Sequence, residues 1–264
     1  MVPDSAFAER ALCCGVREKT VFCWSGGKDS ALALYKVLRD ERYSVVSLLT
    51  TCNERFGRVS MHGVRLELVQ AQARAIGLPL DVVSVRPGSS NEEYERKMSA
   101  CLLKHKEGGV TSVAFGDIFL EDLRHWREQN LARIGMNGLF PLWKIDTRKV
   151  IDEFINLGFR SIVCCVSDAY LGEAALGRAI SWDFINALPV DVDPCGENGE
   201  FHSFAYAGPV FDYPIDVAIG KKVYRPVEQT QSSSALVSST VCPLPSKQPA
   251  KGFWFCDLLP ASGR

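Results

Sequence analysis

The chain has 264 residues, 47% of them hydrophobic and 23% charged, a globular balance with enough apolar material for a core and room for one or two domains. Its 30 Lys and Arg against 31 Asp and Glu leave a net charge of −1, without the basic excess of a dedicated nucleic-acid binder. No run approaches the roughly 18 apolar residues a membrane span needs, and Met1–Lys19 mixes charges among short apolar pieces instead of forming a secretion signal. The chain therefore reads as cytoplasmic, with no membrane partner. Its ten cysteines include no C-x-x-C pair, which removes the usual zinc, redox and iron–sulfur spacings. Several fall in predicted strands, where a free thiol packs as a small apolar residue.

Val21-Phe22-Cys23-Trp24 predicts a buried strand ahead of a Ser-Gly-Gly turn, and Ala31, Leu34, Tyr35 and Leu38 then repeat at helical spacing. Residues 44–50 predict a second strand, followed by a loop through Asn53, Arg55 and Gly57. The next helix carries Val64, Leu68, Ala71 and Ala75 on one face and stops at Gly77, with Pro79 beyond. Residues 80–85 predict strand three, 91–106 a charged helix closed by Gly108-Gly109, and 110–115 strand four. Leu120, Leu123, Arg127, Leu131 and Ile134 share a helical face before Gly135. Residues 139–142 predict a fifth short strand, weakened by Pro141.

Five strands alternating with helices imply right-handed crossovers and a doubly wound parallel sheet of the α/β class. Ligands in such sheets bind beyond the carboxyl ends of the strands, where the strand order switches. The turn 25–30 lies at one such end and Gly116-Asp117 at another. If the first and fourth strands are neighbours, these loops meet across the crevice. A smaller α/β domain follows, giving divisions at 1–144 and 145–264. Asp146 or Thr147 caps a helix bearing Val150, Ile151, Phe154 and Ile155 and ended by Gly158. Strands are expected at 161–166 and 201–211 and a helix over 173–188. Residues 229–250 read as a mobile linker rich in Ser, Pro, Thr and Gln, and 252–260 as an edge strand docking back.

The chemistry concentrates in Ser25-Gly26-Gly27-Lys28-Asp29-Ser30. A glycine-rich strand-to-helix turn points several backbone N–H groups at one phosphate, and the helix N-terminus adds a favourable dipole. Gly26 and Gly27 permit close backbone approach, Lys28 brings positive charge, and Ser25 and Ser30 bring hydroxyl donors. A Walker loop would need glycine where Phe22 stands and Ser or Thr where Asp29 stands. An acid within a phosphate loop calls for a neutralising partner, and Mg²⁺ bridging Asp29 to the phosphates fits. The loop reads as a surface turn, so that Lys28→Ala is expected to leave the fold intact.

In this strand–turn–helix context the hexapeptide is similar to the signature of the PP-loop (N-type ATP pyrophosphatase) superfamily, which has the adenine nucleotide alpha hydrolase-like (HUP-type) fold. The resemblance spans roughly residues 21–142 and implies attack by a carboxylate or carbonyl oxygen on the α-phosphate of ATP. Pyrophosphate leaves, and a second nucleophile takes the adenylate. Beyond it, Asp193-Pro194-Cys195-Gly196-Glu197-Asn198-Gly199-Glu200-Phe201-His202-Ser203-Phe204 and Gly208-Pro209-Val210-Phe211 resemble the diphthine–ammonia ligase family. Met61-His62, Gly77-Leu78-Pro79-Leu80, Phe115-Gly116-Asp117 and Pro141-Leu142-Trp143 extend that likeness over residues 21–211.

The family resemblance implies an ATP-dependent amide-forming ligase joining ammonia to a carboxylate, the family's acceptor being a modified histidine on a translation factor. The family's commonest form has Gly where Asn198 stands and Glu where His202 stands. The helix from Glu121 to Gln129 also departs from its wording, which fits a side branch with a different acceptor. Lys28, Glu197 and Glu200 are the catalytic candidates. Ser25, Gly26, Gly27, Lys28, Asp29, Ser30, Thr50, His62, Gly116 and Asp117 are the expected ATP contacts, and Asp29 is the expected Mg²⁺ ligand.

Other readings remain beside these. Asp117 serves equally as a helix cap, Cys195 as a packing thiol, and His62 as a cap or core histidine. His202 reads as half-buried in a strand, and Arg124, His125 and Arg127 as a solvated helix face. Trp143, Trp182 and Tyr170 could cage a quaternary ammonium, or simply be buried aromatics. A tRNA-modifying PP-loop enzyme and a non-catalytic ATP sensor are the alternative functions. The first calls for paired cysteines or basic RNA-binding regions, neither present, and the second for ATP binding without turnover. The oligomeric state stays open, a homodimer included.

Overall fold

In a computed structural model of the chain, residues 17–59, 62–227 and 250–261 are described. Cys13, Cys14, Met61, Cys242 and nearly all of the expected linker lie outside them. The first sheet is built from β1 (Glu18–Cys23), β2 (Tyr43–Asn53), β3 (Arg58–Val59), β4 (Leu80–Val85), β5 (Ser112–Ala114) and β6 (Asn137–Leu139). Its parallel strands run β4-β2-β1-β5-β6, and the short β3 pairs antiparallel with β2. The chain thus builds outward from β1 on one side, then returns to begin again at β5. Val21 pairs with Val113 and Phe22 with Ala114, so the first and fourth expected strands are neighbours. The order switches between them, and the loops after both strands open on one crevice.

Helices cover both faces because successive residues of each strand point to opposite sides. Phe22 joins Leu34 of α1 (Lys28–Arg39) and Leu68 of α2 (Leu66–Ile76) in one core cluster. Val21 joins Leu102 of α3 (Asn91–Glu107) and Leu131 of α4 (Glu121–Arg133) in the other. The helix ends follow local chemistry. Ser90 caps α3 by accepting from Glu93 N at 3.2 Å, with acids in its first turn and Lys104, His105 and Lys106 in its last. Gly77 closes α2 in the left-handed region at φ 77°, where a side chain would be strained.

The second sheet is antiparallel in the order β8-β7-β10-β9, from β7 (Arg160–Ser167), β8 (Phe201–Ala207), β9 (Val217–Pro226) and β10 (Gly252–Pro260). Asp146 caps α5 (Thr147–Asn156), accepting from Lys149 N at 3.2 Å. The first core cluster runs without a break from Phe22 through Phe154 of α5 to Phe204 of β8 and Leu258 of β10. Among the described residues no helix is long and apolar enough to cross a membrane.

Four expected elements are corrected. The fifth strand is Asn137–Leu139, and Pro141, which has no N–H for a ladder, falls in the turn that follows. The helix expected over 173–188 is a single 3₁₀ turn, Glu173–Ala175, and then α6 (Trp182–Asn186). Between them Gly177 turns at φ 79°, and residues 177–180 bond to β7 through Gly177 N to Val163 O and Ile180 N to Ser161 O, both 2.9 Å. The strand expected over 201–211 stops at Ala207. The strand at 252–260 is interior, between β7 and β9. The edge is β9, which its mostly exposed, Lys- and Arg-bearing sequence hides from an alternation search and suits to the margin of a sheet.

A charged clamp ties the two sheets. Asp257 of β10 takes Arg65 Nε and Nη2 at 2.9 Å each and Arg58 Nη2 at 2.8 Å. Hydrogen bonding from Arg65 and then Arg58, against partial burial, holds its carboxyl down at about 2. A carboxyl lowered on folding stabilises above its unfolded value of about 4 and loses that contribution as pH falls toward 2. Asp257→Asn is therefore expected to be less stable than the parent at neutral pH, with the gap closing in acid. Urea unfolding of both chains from pH 7 downward reads it; a gap of constant size at every pH would mean the pair contributes nothing through its charge.

Candidate active site

The phosphate-loop sequence forms the turn from β1 into α1, at the strand-order switch. Gly26 sits at φ 81°, and a Cβ there would come 2.7 Å from Gln72 Oε1. A Cβ on Gly27 would come 2.7 Å from the His62 ring. The loop is not the surface turn expected from the sequence. It is packed under β8: Ala205 N donates to Gly26 O at 2.8 Å and Lys28 N to Ser203 Oγ at 3.3 Å. Fully buried Gln72 accepts from Trp24 Nε1 at 2.9 Å and donates to Gly26 O at 2.9 Å and Ala205 O at 2.6 Å. Ser25 Oγ and Ser30 Oγ lie 2.8 Å apart across the loop. After β5 the chain passes over the first turn of α1 so closely that a Cβ on Gly116 would stand 3.0 Å from Ser30 N.

These elements wall a cavity of about 220 Å³. At its floor the Lys28 side chain is 3% exposed, and its Nζ donates to Asp29 Oδ2 at 2.7 Å and to the Cys195 carbonyl. Burial opposes the ammonium charge, but Asp29, joined by Cys195 and Glu197, outweighs it and holds Lys28 above its usual range. Burial likewise pushes the Asp29 carboxyl up, against the pull of Lys28. Glu197 is pushed up to about 8 by burial and then by Asp29, while Ile118 N donates to its Oε1 at 2.9 Å. The site therefore gathers more carboxyl groups than Lys28 alone can pair, and burial favours the protonated form of the surplus. Among the described residues Asp29 Oδ1 has no hydrogen-bond partner, and neither has Thr50 Oγ1 on the cavity wall supplied by β2. An unpaired buried carboxylate oxygen in an acid-rich cavity fits a Mg²⁺ ligand, and an unpaired hydroxyl fits a ligand's polar edge.

The other expected residues separate into two groups. Thr50, His62, Gly116, Asp117 and Glu197 line the cavity with Ser25, Lys28, Asp29 and Ser30, while Gly26 and Gly27 lie behind the wall. Asp117 does not cap a helix; its Oδ2 is 2.7 Å from Arg127 Nε. His62 donates from Nδ1 to Ser203 O at 3.1 Å, and its ring lies 4.8 Å from that of His202. Burial, with Lys28 nearby, lowers His62 to about 4 and His202 well below its usual value, so both are neutral imidazoles. Glu200 stands outside the cavity wall. It is fully buried, and its carboxylate accepts from Asp193 N at 3.0 Å, Asn198 N at 2.9 Å and Asn198 Nδ2 at 3.0 Å. That bonding shapes the turn that carries Glu197. Cys195 is a buried thiol pushed up by burial and donating to Thr147 O at 3.3 Å, consistent with packing.

Three residues went unrecognised in the sequence. Arg127, read as part of a solvated face, is 16% exposed, lines the cavity and lies 4.3 Å over the Phe115 ring. Its place among Leu120, Leu123 and Leu131 on one helical face was the available signal. Gln72 stands four residues after Leu68, on the buried face of α2, where a polar residue needs partners. Ser203 stood within the Asp193–Phe204 motif without a role of its own, because only the packing of β8 on the loop brings it to Lys28 N. Trp143, Trp182 and Tyr170 do not line the cavity, and the Trp143 ring instead carries the Arg124 guanidinium at 4.6 Å.

Comparison with known proteins agrees with this geometry. Residues 18–138 match the diphthamide synthase N-terminal domain and residues 146–232 the diphthamide synthase C-terminal domain. A zebrafish (Danio rerio) diphthine–ammonia ligase is 27% identical over 218 residues, covering 72% of this chain and 83% of that protein. A fission-yeast (Schizosaccharomyces pombe) diphthine–ammonia ligase is 26% identical over 125 residues, covering 46% of this chain and 20% of that longer protein. With both domain matches in order along one chain, the 25–30 loop in the first and the Glu197 turn in the second, the chain belongs to the diphthamide synthase family.

Proposed function

We propose that the chain is an ATP-dependent ligase that activates a carboxylate as an acyl-adenylate and converts it to an amide with ammonia. The observation that carries this reading is the buried Lys28–Asp29 pair at the N-terminus of α1, facing Glu197 across the cavity. The nearby family members bear the name diphthine–ammonia ligase, which supports both ATP and ammonia as substrates.

In the first step an acceptor carboxylate oxygen bonds to the α-phosphorus, and the bond to the bridging oxygen of the β-phosphate breaks, releasing pyrophosphate. Lys28 and the amides of residues 25–30 stabilise charge on the departing group. In the second step ammonia adds to the acyl carbon, AMP leaves, and the nitrogen sheds a proton. Glu197 would accept that proton, and its rise to about 8 supports the role, since a base near the working pH is the most effective. Asp29, through its unpaired Oδ1, would hold Mg²⁺, which supplies charge neutralisation of the phosphates. Glu200 is assigned as a positioning residue for the Glu197 turn. The first sheet would bind the nucleotide, and the second would bring the acceptor against the His62–His202 wall. The acceptor is a carboxylate on a modified histidine or, because His202 stands at that wall, a related carboxylate.

A product assay tests this. Purified protein with Mg·ATP, ammonium and a heat-treated cell extract as acceptor source is expected to yield AMP and pyrophosphate, dependent on ammonium and on Lys28. ADP as the nucleotide product, or turnover indifferent to Lys28, would sink the reading.

A further inference from the structure

Asp81, Cys101 and His105 place a carboxylate oxygen, a thiol sulfur and an imidazole nitrogen all within 4.8 Å of one another, and none of the three lines the cavity. Asp81 is on β4, the outer strand of the parallel order. Cys101 and His105 are four residues apart on α3, which puts both on one helical face. Two features pre-orient the group. His105 Nε2 lies 2.9 Å from Asp81 Oδ2, and Ser47 Oγ donates to the same oxygen. The His105 and Asp81 side chains are 20% and 39% exposed, which leaves a path from solvent and room for a water.

We propose that Asp81, Cys101 and His105 form a site for a zinc-class divalent cation, with water in the fourth position. One nitrogen, one sulfur and one oxygen donor match the borderline-soft preference of that class, and three protein ligands plus water complete a tetrahedron. On binding, the Cys101 thiol releases its proton to solvent. The His105–Asp81 hydrogen bond is exchanged for two coordinate bonds, and the imidazole proton resides on the nitrogen away from the ion. Ser47 supplies the outer hydrogen bond that ligating carboxylates characteristically have. Occupancy would pin the last turns of α3 to β4. The site is independent of the ligase reading.

Cobalt(II) provides the test, because a thiolate ligand adds a charge-transfer band to its spectrum. Reduced, chelator-stripped full-length protein is titrated with Co²⁺, and bound Co²⁺ is then displaced with Zn²⁺. The expected result is one equivalent giving tetrahedral visible bands and a thiolate band. Cys101→Ser should lose the thiolate band, and His105→Ala should weaken binding by more than the roughly 10–100-fold that loss of an outer hydrogen-bonding partner costs. Circular dichroism confirms folding, and Asp81→Asn serves if either variant fails to fold. No tetrahedral spectrum, or one unchanged in Cys101→Ser and His105→Ala because other cysteines hold the ion, would overturn the proposal.

Discussion

Lys28→Ala is expected to abolish Mg·ATP binding and also to cost stability, about 3 kcal/mol at most, because a largely buried ion pair loses its cation while Asp29, a quarter exposed, keeps some access to water. Lys28 is 3% exposed and Asp29 25%, and among the described residues Asp29 is left with no other side-chain partner at Oδ2. A phosphate loop on the surface would have lost the binding alone. The two effects separate in the double variant Lys28→Met with Asp29→Asn, which removes the buried charge along with its partner. That chain should regain much of the stability and none of the nucleotide affinity. Urea unfolding and calorimetric titration with Mg·ATP measure the two quantities. Parental affinity in the folded double variant would remove the nucleotide assignment from this loop.

Glu197→Gln is expected to lower turnover by roughly 10²–10⁴-fold, the usual contribution of a general base, while leaving ATP affinity nearly unchanged. The amide oxygen can still accept from Ile118 N, so the turn keeps its shape. The sign of the pH effect follows from burial. Glu197 titrates at about 8 in the folded chain, against about 4.3 for an unperturbed glutamate. The proton-accepting form therefore appears as pH rises toward 8, and kcat/KM should climb on that limb in the parent and lose it in the variant. Stability moves the other way. A carboxyl raised on folding costs nothing below its unfolded value, and its penalty grows as pH rises from about 4 to about 8. The parent should lose stability across that window relative to Glu197→Gln. A variant with the parental pH profile would remove Glu197 from proton transfer. Glu200→Ala provides the contrast: through the lost turn bonds it should reduce turnover without moving the position of that limb.

Much of the first sheet was legible because strand–helix alternation, glycine stops and helix caps are local. Gly77 and Asp146 end and begin helices by bonds to residues within one turn, so the sequence alone carries them. The second part was harder to read. Gly177 and the pairing of residues 177–180 with β7 override a helical reading of 173–188. The exposed β9 offers no alternation to find, and so the place of β10 between β7 and β9 was hidden too. Those errors share a cause: antiparallel strand order depends on partners remote in the chain, to which local pattern is blind.

The same division holds for the candidate sites. The string from Ser25 to Ser30 by itself determined that a backbone cradle with a lysine and an acid opens α1, because such a turn is a matter of neighbouring residues. Only the tertiary structure decided that Lys28 is buried, that Ser203 and Gln72 brace the loop, and that Glu197 comes to face Asp29 and is pushed up to about 8. It decided likewise that Cys101, which has no C-x-x-C partner, meets His105 and Asp81. Charge and hydrogen-bond energies depend on distance and on exclusion of water, and both are set by how β8 and α3 pack rather than by the order of residues along them.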